Sequence, residues 1–290
     1  MKKKILFVVN PISGGLNKAF IPSLVDQHLN HSIFDAEIIF SEYVGHAKIL
    51  AKNGLASGFE IIAAVGGDGT INEVASEVSK TDQSMAIIPS GSGNGLARTL
   101  KIPLKHSKAI QKINQLKTTL IDAGVLNDQL FFNMAGMGFD AHISALFAKD
   151  KTRGFGGYVK SSINEIAKYQ SQDYEIVIDG QHLVENAFML SIANSSQYGN
   201  NAHVSPSASV SDGLLDVCVI KPFPLLKFPE MAYRMFAKSA DQSKYVKIIK
   251  ANEVFIKREK AGPVHLDGEP QEMGTEINIG IQHLSLKLIV

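Results

Sequence analysis

Residues 61–78 read IIAAVGGDGTINEVASEV: an apolar run, three glycines around an aspartate, then the start of a helical pattern. Glycine lets a backbone approach a ligand and point its N–H groups at it with no Cβ in the way. Where such a turn opens a helix, the first amides and the helix dipole favour an anion, and phosphate is the commonest one. Two more loops have the same character, NPISGG at 10–15 and SGSGNG at 90–95. A single loop of this kind is explained by a tight strand-to-helix turn; three together favour phosphate binding. A fourth stretch, HLDGEP at 265–270, carries Asp267 and Glu269 around Gly268. Asp-Gly between strand-like stretches is a strong hairpin signal.

Missing motifs narrow the phosphate ligand. No Gly-Lys-Ser or Gly-Lys-Thr occurs, so there is no Walker A loop. Gly91, Gly93 and Gly95 are followed by Leu96 where a dinucleotide fingerprint wants glycine. Ser13, Ser90 and Ser92 lie in no G-x-S-x-G elbow, and no H-E-x-x-H or Cys/His cluster exists. His28 and His31 sit three apart, a pair that a solvated helix end explains better than zinc.

The elements that must position these loops are legible as two textures. KILFVV (4–9), AEIIF (36–40), EIIAAV (60–65) and MAIIP (85–89) are rich in Ile and Val without clean alternation, as strands buried on both faces are. Helical stretches such as 46–57 and 71–79 separate them, which points to a parallel sheet covered by helices. The glycine loops then share the edge outside the strands' carboxyl ends, where such sheets bind ligands. Thr70 and Glu73 have capping-box spacing, and Ile71, Val74, Ala75 and Val78 line one apolar helix face.

From about 172 the runs alternate instead. Ile277, Ile279 and Ile281 are followed by Leu284, Leu286 and Leu288, with polar or small residues between, the pattern of antiparallel strands with one wet face. The expected architecture is an α/β nucleotide-binding domain over 1–122 and a β-rich, sandwich-like domain over 123–290. The active site is expected in the cleft between them, and a return of the last strands toward the first domain is left open. The stretch 140–170 reads as mostly helical.

Charge is nearly balanced, 29 Lys plus Arg against 28 Asp plus Glu, so bulk charge draws no polyanion and nucleic acid is not an expected partner. The lone Cys218 excludes an internal disulfide and reads as a small buried residue in a reducing compartment. The apolar core of MKKKILFVVNP stops at Asn10-Pro11, too short for a signal peptide, and no run approaches the roughly 18 apolar residues of a spanning helix. The expectation is a cytoplasmic protein.

GGDGTINEV (66–74), NPISGG upstream and PSGSGNGLAR (89–98) downstream resemble the diacylglycerol kinase catalytic-domain family, which includes bacterial diacylglycerol and other lipid kinases, sphingosine kinases and ceramide kinases. GYVKSSI near 157, SPSASVSDGLLDV (205–217) and HLDGEP follow in the family's order, so the resemblance covers nearly the whole chain.

The resemblance implies an ATP- and Mg²⁺-dependent kinase acting on a lipid hydroxyl. Gly66, Gly67, Asp68, Gly69, Thr70, Ile71 and Asn72 would hold the phosphates, with Asn10, Ser41, Gly91, Ser92 and Asn94 close to the nucleotide. Asp68 would organise the catalytic Mg²⁺ through water. Asp267 matches the family's general base, with Glu269 in support. Ser209 and Leu214, through their carbonyls, and Asp212, through its carboxylate, match a structural magnesium site, with Asp216 behind them; an ordinary Asp-Gly turn explains the same residues.

Gly95 stands where many bacterial diacylglycerol kinases carry aspartate, which loosens that substrate assignment without establishing a sphingoid one. In FPLLKFPEMAYRMFAK (223–238), Leu226, Met231, Met235 and Phe236 form a stripe beside Lys227, Arg234 and Lys238. It suits a membrane-facing element, but core packing is the preferred reading. The expected partners are a membrane lipid and a transient bilayer contact, giving peripheral membrane association, and a homodimer is allowed. The rival readings are a kinase resembling NAD kinases and a catalytically silent nucleotide- or lipid-binding regulator.

Overall fold

The computed structural model describes residues 2–15, 17–149, 165–166 and 168–290. GYVKSSI, at 157–163, lies outside them, as does most of the helical stretch expected over 140–170; within that stretch Phe139–Lys149 is a helix. The chain divides into two compact units, Met1–Ile121 with Leu284–Val290, and Asp122–His283.

In the first unit, strands β1 (Lys3–Val9), β2 (Phe34–Phe40), β3 (Ile61–Gly66) and β4 (Ser84–Pro89) pair in parallel in the order β2-β1-β3-β4. Every residue of β3 is buried, which is why its sequence shows no alternation. Helices α1 (Ile21–His28), α2 (His46–Ala56), α3 (Asp68–Val78), α4 (Gly95–Thr99) and α5 (His106–Ile113) connect and flank the strands. The end of the last strand, Glu276–Ile289, returns here and pairs in parallel with β4 at Leu288 and Met85.

The second unit is a sandwich of antiparallel layers. One layer runs Val246–Ala251, Leu215–Ile220, Met189–Ala193, Met134–Gly138, Gly262–Leu266 and Glu269–Met273. In the other, Val254–Arg258 pairs with Gln172–Ile178 on one side and with Glu276–Ile279 on the other. Ile192, Val217 and Val264 from the first layer meet Ile176, Ile256 and Ile277 from the second in one apolar core. Burial of these alternating side chains supplies the driving force for the pairing.

The stripe at 223–238 divides. Met231 is buried and Met235 packs beside it, as core packing requires, but Leu226 is 94% exposed, and Leu225, Tyr233 and Phe236 are exposed as well. A helix this short, Phe228–Phe236, buries only the face it turns inward.

Candidate functional site

Within the first unit the three glycine loops meet at the carboxyl ends of β1, β3 and β4. Asn10 follows β1; its Nδ2 donates to Thr70 Oγ1 at 2.9 Å, and its backbone N–H donates to the Val65 carbonyl at 2.9 Å. Gly14 has φ +63°, and a Cβ there would lie 2.6 Å from the Ser90 carbonyl oxygen. Gly91 and Gly67 touch backbone to backbone, since a Cβ on Gly91 would fall 2.5 Å from the Gly67 Cα. The glycines are therefore required by loop-on-loop contact, not only by turning.

Asp68 ties the second loop to the third. Its Oδ2 accepts the Asn94 N–H and its Oδ1 the Gly95 N–H, both at 2.9 Å. Asn94, at φ +53°, closes its own loop by accepting from Gly91 N–H at 2.9 Å and donating to the Gly91 carbonyl at 2.8 Å. Asn is one of the few residues that adopt the left-handed region readily. Gly95 thus contributes a backbone donor to Asp68.

The capping-box expectation is corrected. Helix α3 begins at Asp68 with Gly67 as its N-cap, so Thr70 lies inside the first turn and its hydroxyl accepts from Asn10. Glu73 serves the neighbouring helix, accepting from the Gly45 N–H at 3.0 Å and the Lys48 N–H at 3.3 Å. The side chain of the sixth residue of α3 reaches the amides that open α2, because the two helices pack together.

The other first-unit candidates fall into two groups. Ser41 is buried just past β2 and donates its N–H to the Val9 carbonyl at 2.8 Å, and Ser92 is exposed on the third loop. Asn72 is half-buried on α3 and Gly69 lies in its first turn. Ile71, in contrast, is a core residue, and its N–H is spent on the Gly67 carbonyl at 3.0 Å.

Two residues here escaped the sequence reading. Lys18 is fully buried and its Nζ donates to the Ser13 carbonyl; burial pushes its pKa down. His106 Nε2 lies 3.1 Å from Ser90 Oγ, and burial, with the Lys18 charge second, holds its pKa below the ordinary value. Lys18 bonds a carbonyl only five residues back, but no residue type there announces its burial, and His106 meets the third loop from sixteen residues away.

In the second unit Asp267 and Gly268 form the two-residue turn between Gly262–Leu266 and Glu269–Met273, at φ +50° and +89°. This is the geometry that an Asp-Gly pair favours. The Asp267 carboxylate is buried and accepts three backbone N–H groups: Phe132 at 2.9 Å on Oδ2, Asn133 at 2.8 Å and Met134 at 2.9 Å on Oδ1. Three donors fix one orientation, which a rigid turn alone would not. Glu269 begins the following strand and is exposed.

Behind this turn lies a buried polar network. His265 Nδ1 accepts the Gly268 N–H at 3.4 Å, which assigns the ring proton to Nε2, 3.1 Å from Asp140 Oδ2. Asp140 Oδ2 also accepts from Tyr198 Oη at 2.9 Å and Ser191 Oγ at 3.3 Å. Gly136 makes room for it, because a Cβ there would lie 2.3 Å from Asp140 Oδ2 and 2.5 Å from His265 Nε2. Arg258 fastens the far end of the same hairpin, donating to the carbonyls of Gly262, Pro263, Met273 and Gly274.

Of the expected metal set, Ser209 and Leu214 are half-buried and Asp212 is exposed, with its carboxylate engaged by the Leu214 N–H and by Lys250. Among the described residues no group of three or more His, Cys, Asp or Glu side chains is arranged to hold a metal ion.

Comparison with known proteins places both units. The diacylglycerol kinase catalytic domain matches residues 4–126, and the YegS C-terminal NAD kinase beta sandwich-like domain matches residues 133–286. The chain is 30% identical over 250 residues to a probable lipid kinase, YegS-like, of Pseudomonas aeruginosa (strain UCBPP-PA14), covering 84% of this chain and 81% of that one. It is 34% identical over 180 residues to a probable lipid kinase, YegS-like, of Pseudomonas putida KT2440, a match that spans 61% of each chain. The crystal structure of a diacylglycerol kinase from Bacillus anthracis Sterne superposes with a TM-score of 0.76 at 22% identity, covering 99% of this chain and 96% of that one, a likeness of fold.

Proposed function

The chain belongs to the family of YegS-like lipid kinases, and from that premise we propose that it transfers the γ-phosphate of ATP to a hydroxyl of a membrane lipid. The observation that carries this reading is the backbone contact of Gly67 with Gly91 beside the α3 N-terminus, held by Asp68 across to Asn94 and Gly95. The contact leaves main chain without an intervening Cβ beside the start of α3, where a helix dipole favours phosphate.

In this proposal the residues from Gly66 to Asn72 hold the phosphates, and Asn10, Ser41, Ser92 and Asn94 shape the nucleotide's surroundings. Asp68 would hold Mg²⁺ through water, the mode that fits a carboxylate whose two oxygens already accept backbone N–H groups. The ion would neutralise charge developing on the phosphates. The lipid hydroxyl oxygen attacks the γ-phosphorus as the bond to the bridging oxygen breaks, and ADP leaves with that electron pair. The hydroxyl proton passes to Asp267, for which we assign Oδ2, the oxygen with one of the three backbone donors. Glu269, adjacent and exposed, supports it.

Among the described residues no helix is long and apolar enough to cross a membrane. A lipid substrate then has to be met at a surface, and Leu225, Leu226, Tyr233 and Phe236 supply an exposed apolar face for it. Lys227 and Arg234 are both paired with Glu230, at 2.8 and 3.0 Å, so the contact we assign is chiefly apolar.

The test is transfer of label from γ-labelled ATP with Mg²⁺ to diacylglycerol, monoacylglycerol, sphingosine, ceramide or phosphatidylglycerol in micelles, with soluble NAD and Asp267→Asn as controls. A labelled lipid that disappears in the variant supports the proposal and names the acceptor. Label on NAD alone, or bound ATP with no transfer to any acceptor, counts against it.

A further inference from the structure

The loop 209–214 is where related sequences imply a structural divalent cation, and a cation is already there. Lys250 Nζ lies 2.9 Å from Asp212 Oδ2 and 3.1 Å from Asp216 Oδ1. Its place is set by the backbone. Asp216 and Lys250 are register partners across the antiparallel strands Leu215–Ile220 and Val246–Ala251. Directly opposed side chains of opposite charge stabilise such a pair.

Asp216 has particular need of that charge. It is only 1% exposed; its Oδ2 accepts from Ser205 Oγ, while its buried Oδ1 makes no hydrogen bond. A carboxylate withdrawn from water is strongly disfavoured unless a charge compensates it. The ammonium 3.1 Å from Oδ1 supplies the compensation. Asp212 is equally committed, its Oδ1 accepting the Leu214 N–H at 3.2 Å while Oδ2 takes the lysine. The loop's other anchor is Asp122, fully buried, whose Oδ2 accepts the Gly213 N–H at 2.8 Å and whose Oδ1 lies 2.8 Å from His283 Nδ1.

A magnesium ion demands a near-octahedral shell of oxygens at about 2.0–2.1 Å. These carboxylate oxygens are instead drawn together around a nitrogen at ion-pair distances. Asp212, the one side chain in the expected ligand set, is thus already engaged by an ammonium, and its carboxylate fits that cation rather than a divalent ion.

We propose that Lys250 replaces the structural divalent cation in this chain, as a tethered monocation that ties loop 209–214 to the Asp216 strand and frees the fold from divalent-metal dependence. The inference is independent of the proposed kinase reaction, because any ion that accompanies a nucleotide would act through Asp68.

The experiment is thermal unfolding of the full chain, without nucleotide, in EDTA and in millimolar Mg²⁺, for the wild type, Asp212→Asn, Lys250→Met and Lys250→Arg. The readout is the part of any Mg²⁺-induced rise in Tm that Asp212→Asn removes. For the wild type that part is expected to be zero. Lys250→Met is expected to lower Tm by roughly 5 °C in EDTA and to gain a Mg²⁺-dependent rise. Lys250→Arg, which keeps the charge and guards against a methionine variant that fails to fold, is expected to behave as wild type toward Mg²⁺. A wild-type rise that Asp212→Asn abolishes, or a Lys250→Met protein as stable as wild type, would overturn the proposal.

Discussion

Gly67 and Gly91 are in backbone contact, so close that a Cβ built on Gly91 falls 2.5 Å from the Gly67 Cα. The obstacle is main chain, which cannot swing aside as a side chain can. Gly91→Ala must therefore push the third loop off the second and disturb the bonds from Asn94 and Gly95 to Asp68. We expect ATP affinity to fall at least about tenfold, on the order of 1.4 kcal/mol, by isothermal titration. Gly15→Ala, where nothing lies within 4 Å but φ is +70°, tests whether backbone strain alone has the same effect. Equal losses in the two variants would show that the loop contact is not what matters.

The buried network behind Asp267 is crowded at one point. Gly136→Ala puts a methyl 2.3 Å from Asp140 Oδ2 and 2.5 Å from His265 Nε2, the two atoms that face each other in the network. Separating a buried carboxylate from its donors costs about 1–3 kcal/mol per unsatisfied group. Urea unfolding should show a loss of roughly 2–4 kcal/mol for this variant. A change below about 0.5 kcal/mol, the usual range for surface substitutions, would show that the network is not holding the hairpin.

Much of this was legible in the sequence, and the parts that were not share a cause. The runs KILFVV, EIIAAV and MAIIP name buried parallel strands because their burial removes the alternation, and each ends in a loop whose glycines declare close backbone approach. Asp267-Gly268 announced a two-residue hairpin because few other pairs adopt positive φ twice. Thr70 and Glu73 misled, since a capping box has the same letters whether the helix starts at Thr70 or two residues earlier. Asp140 and His265 are 125 positions apart, one on a helix and one on a strand, and no local pattern links two residues that only the tertiary fold brings together. The pairing of Asp216 with Lys250 is hidden for the same reason, because register is a property of two strands and neither strand states it alone.

If the Leu226 face meets lipid, Leu226→Glu should matter only where there is a bilayer to enter. Burying one leucine side chain is worth about 1.5–3 kcal/mol, so activity on lipid in vesicles should fall roughly tenfold or more. Activity on the same lipid dispersed in excess detergent should stay within about twofold, because a micelle delivers the substrate without docking. Equal loss in both assays would point to damage to the fold, and no loss in either would remove this face from the membrane reading.

Two histidines make stability sensitive to mild acid. Burial, then the charge of Lys18, holds His106 below its ordinary pKa of 6.5, and burial with Lys238 does the same for His203. A depressed histidine is neutral when folded but takes up a proton when unfolded, so the unfolded chain binds more protons below about pH 6.5 and gains on the native state there. The urea midpoint should decline as pH falls from about 7 to about 5.5, and His106→Gln should flatten part of that decline. A variant whose midpoint tracks wild type across the whole range would absolve His106.

Leu284 resolves a conflict within the last strand. Along Glu276–Ile289 the apolar series runs Ile277, Ile279, Ile281 and then Leu284, Leu286, Leu288, so its phase reverses once. Successive strand residues point to opposite faces, so the two series lie in opposite phase, yet Leu286 and Leu288 are buried as Ile277 and Ile279 are. Leu284, where the phase changes, has φ +48°, a conformation that costs an ordinary L-residue about 1–2 kcal/mol. A β-branched side chain pays more there and glycine pays nothing. Leu284→Ile should therefore destabilise by roughly 1–2 kcal/mol in urea unfolding, while Leu284→Gly, which gives up only a partly exposed side chain, should remain within about 0.5 kcal/mol of wild type. If isoleucine were tolerated as well as glycine, the left-handed residue would not be what sets the phase of the strand.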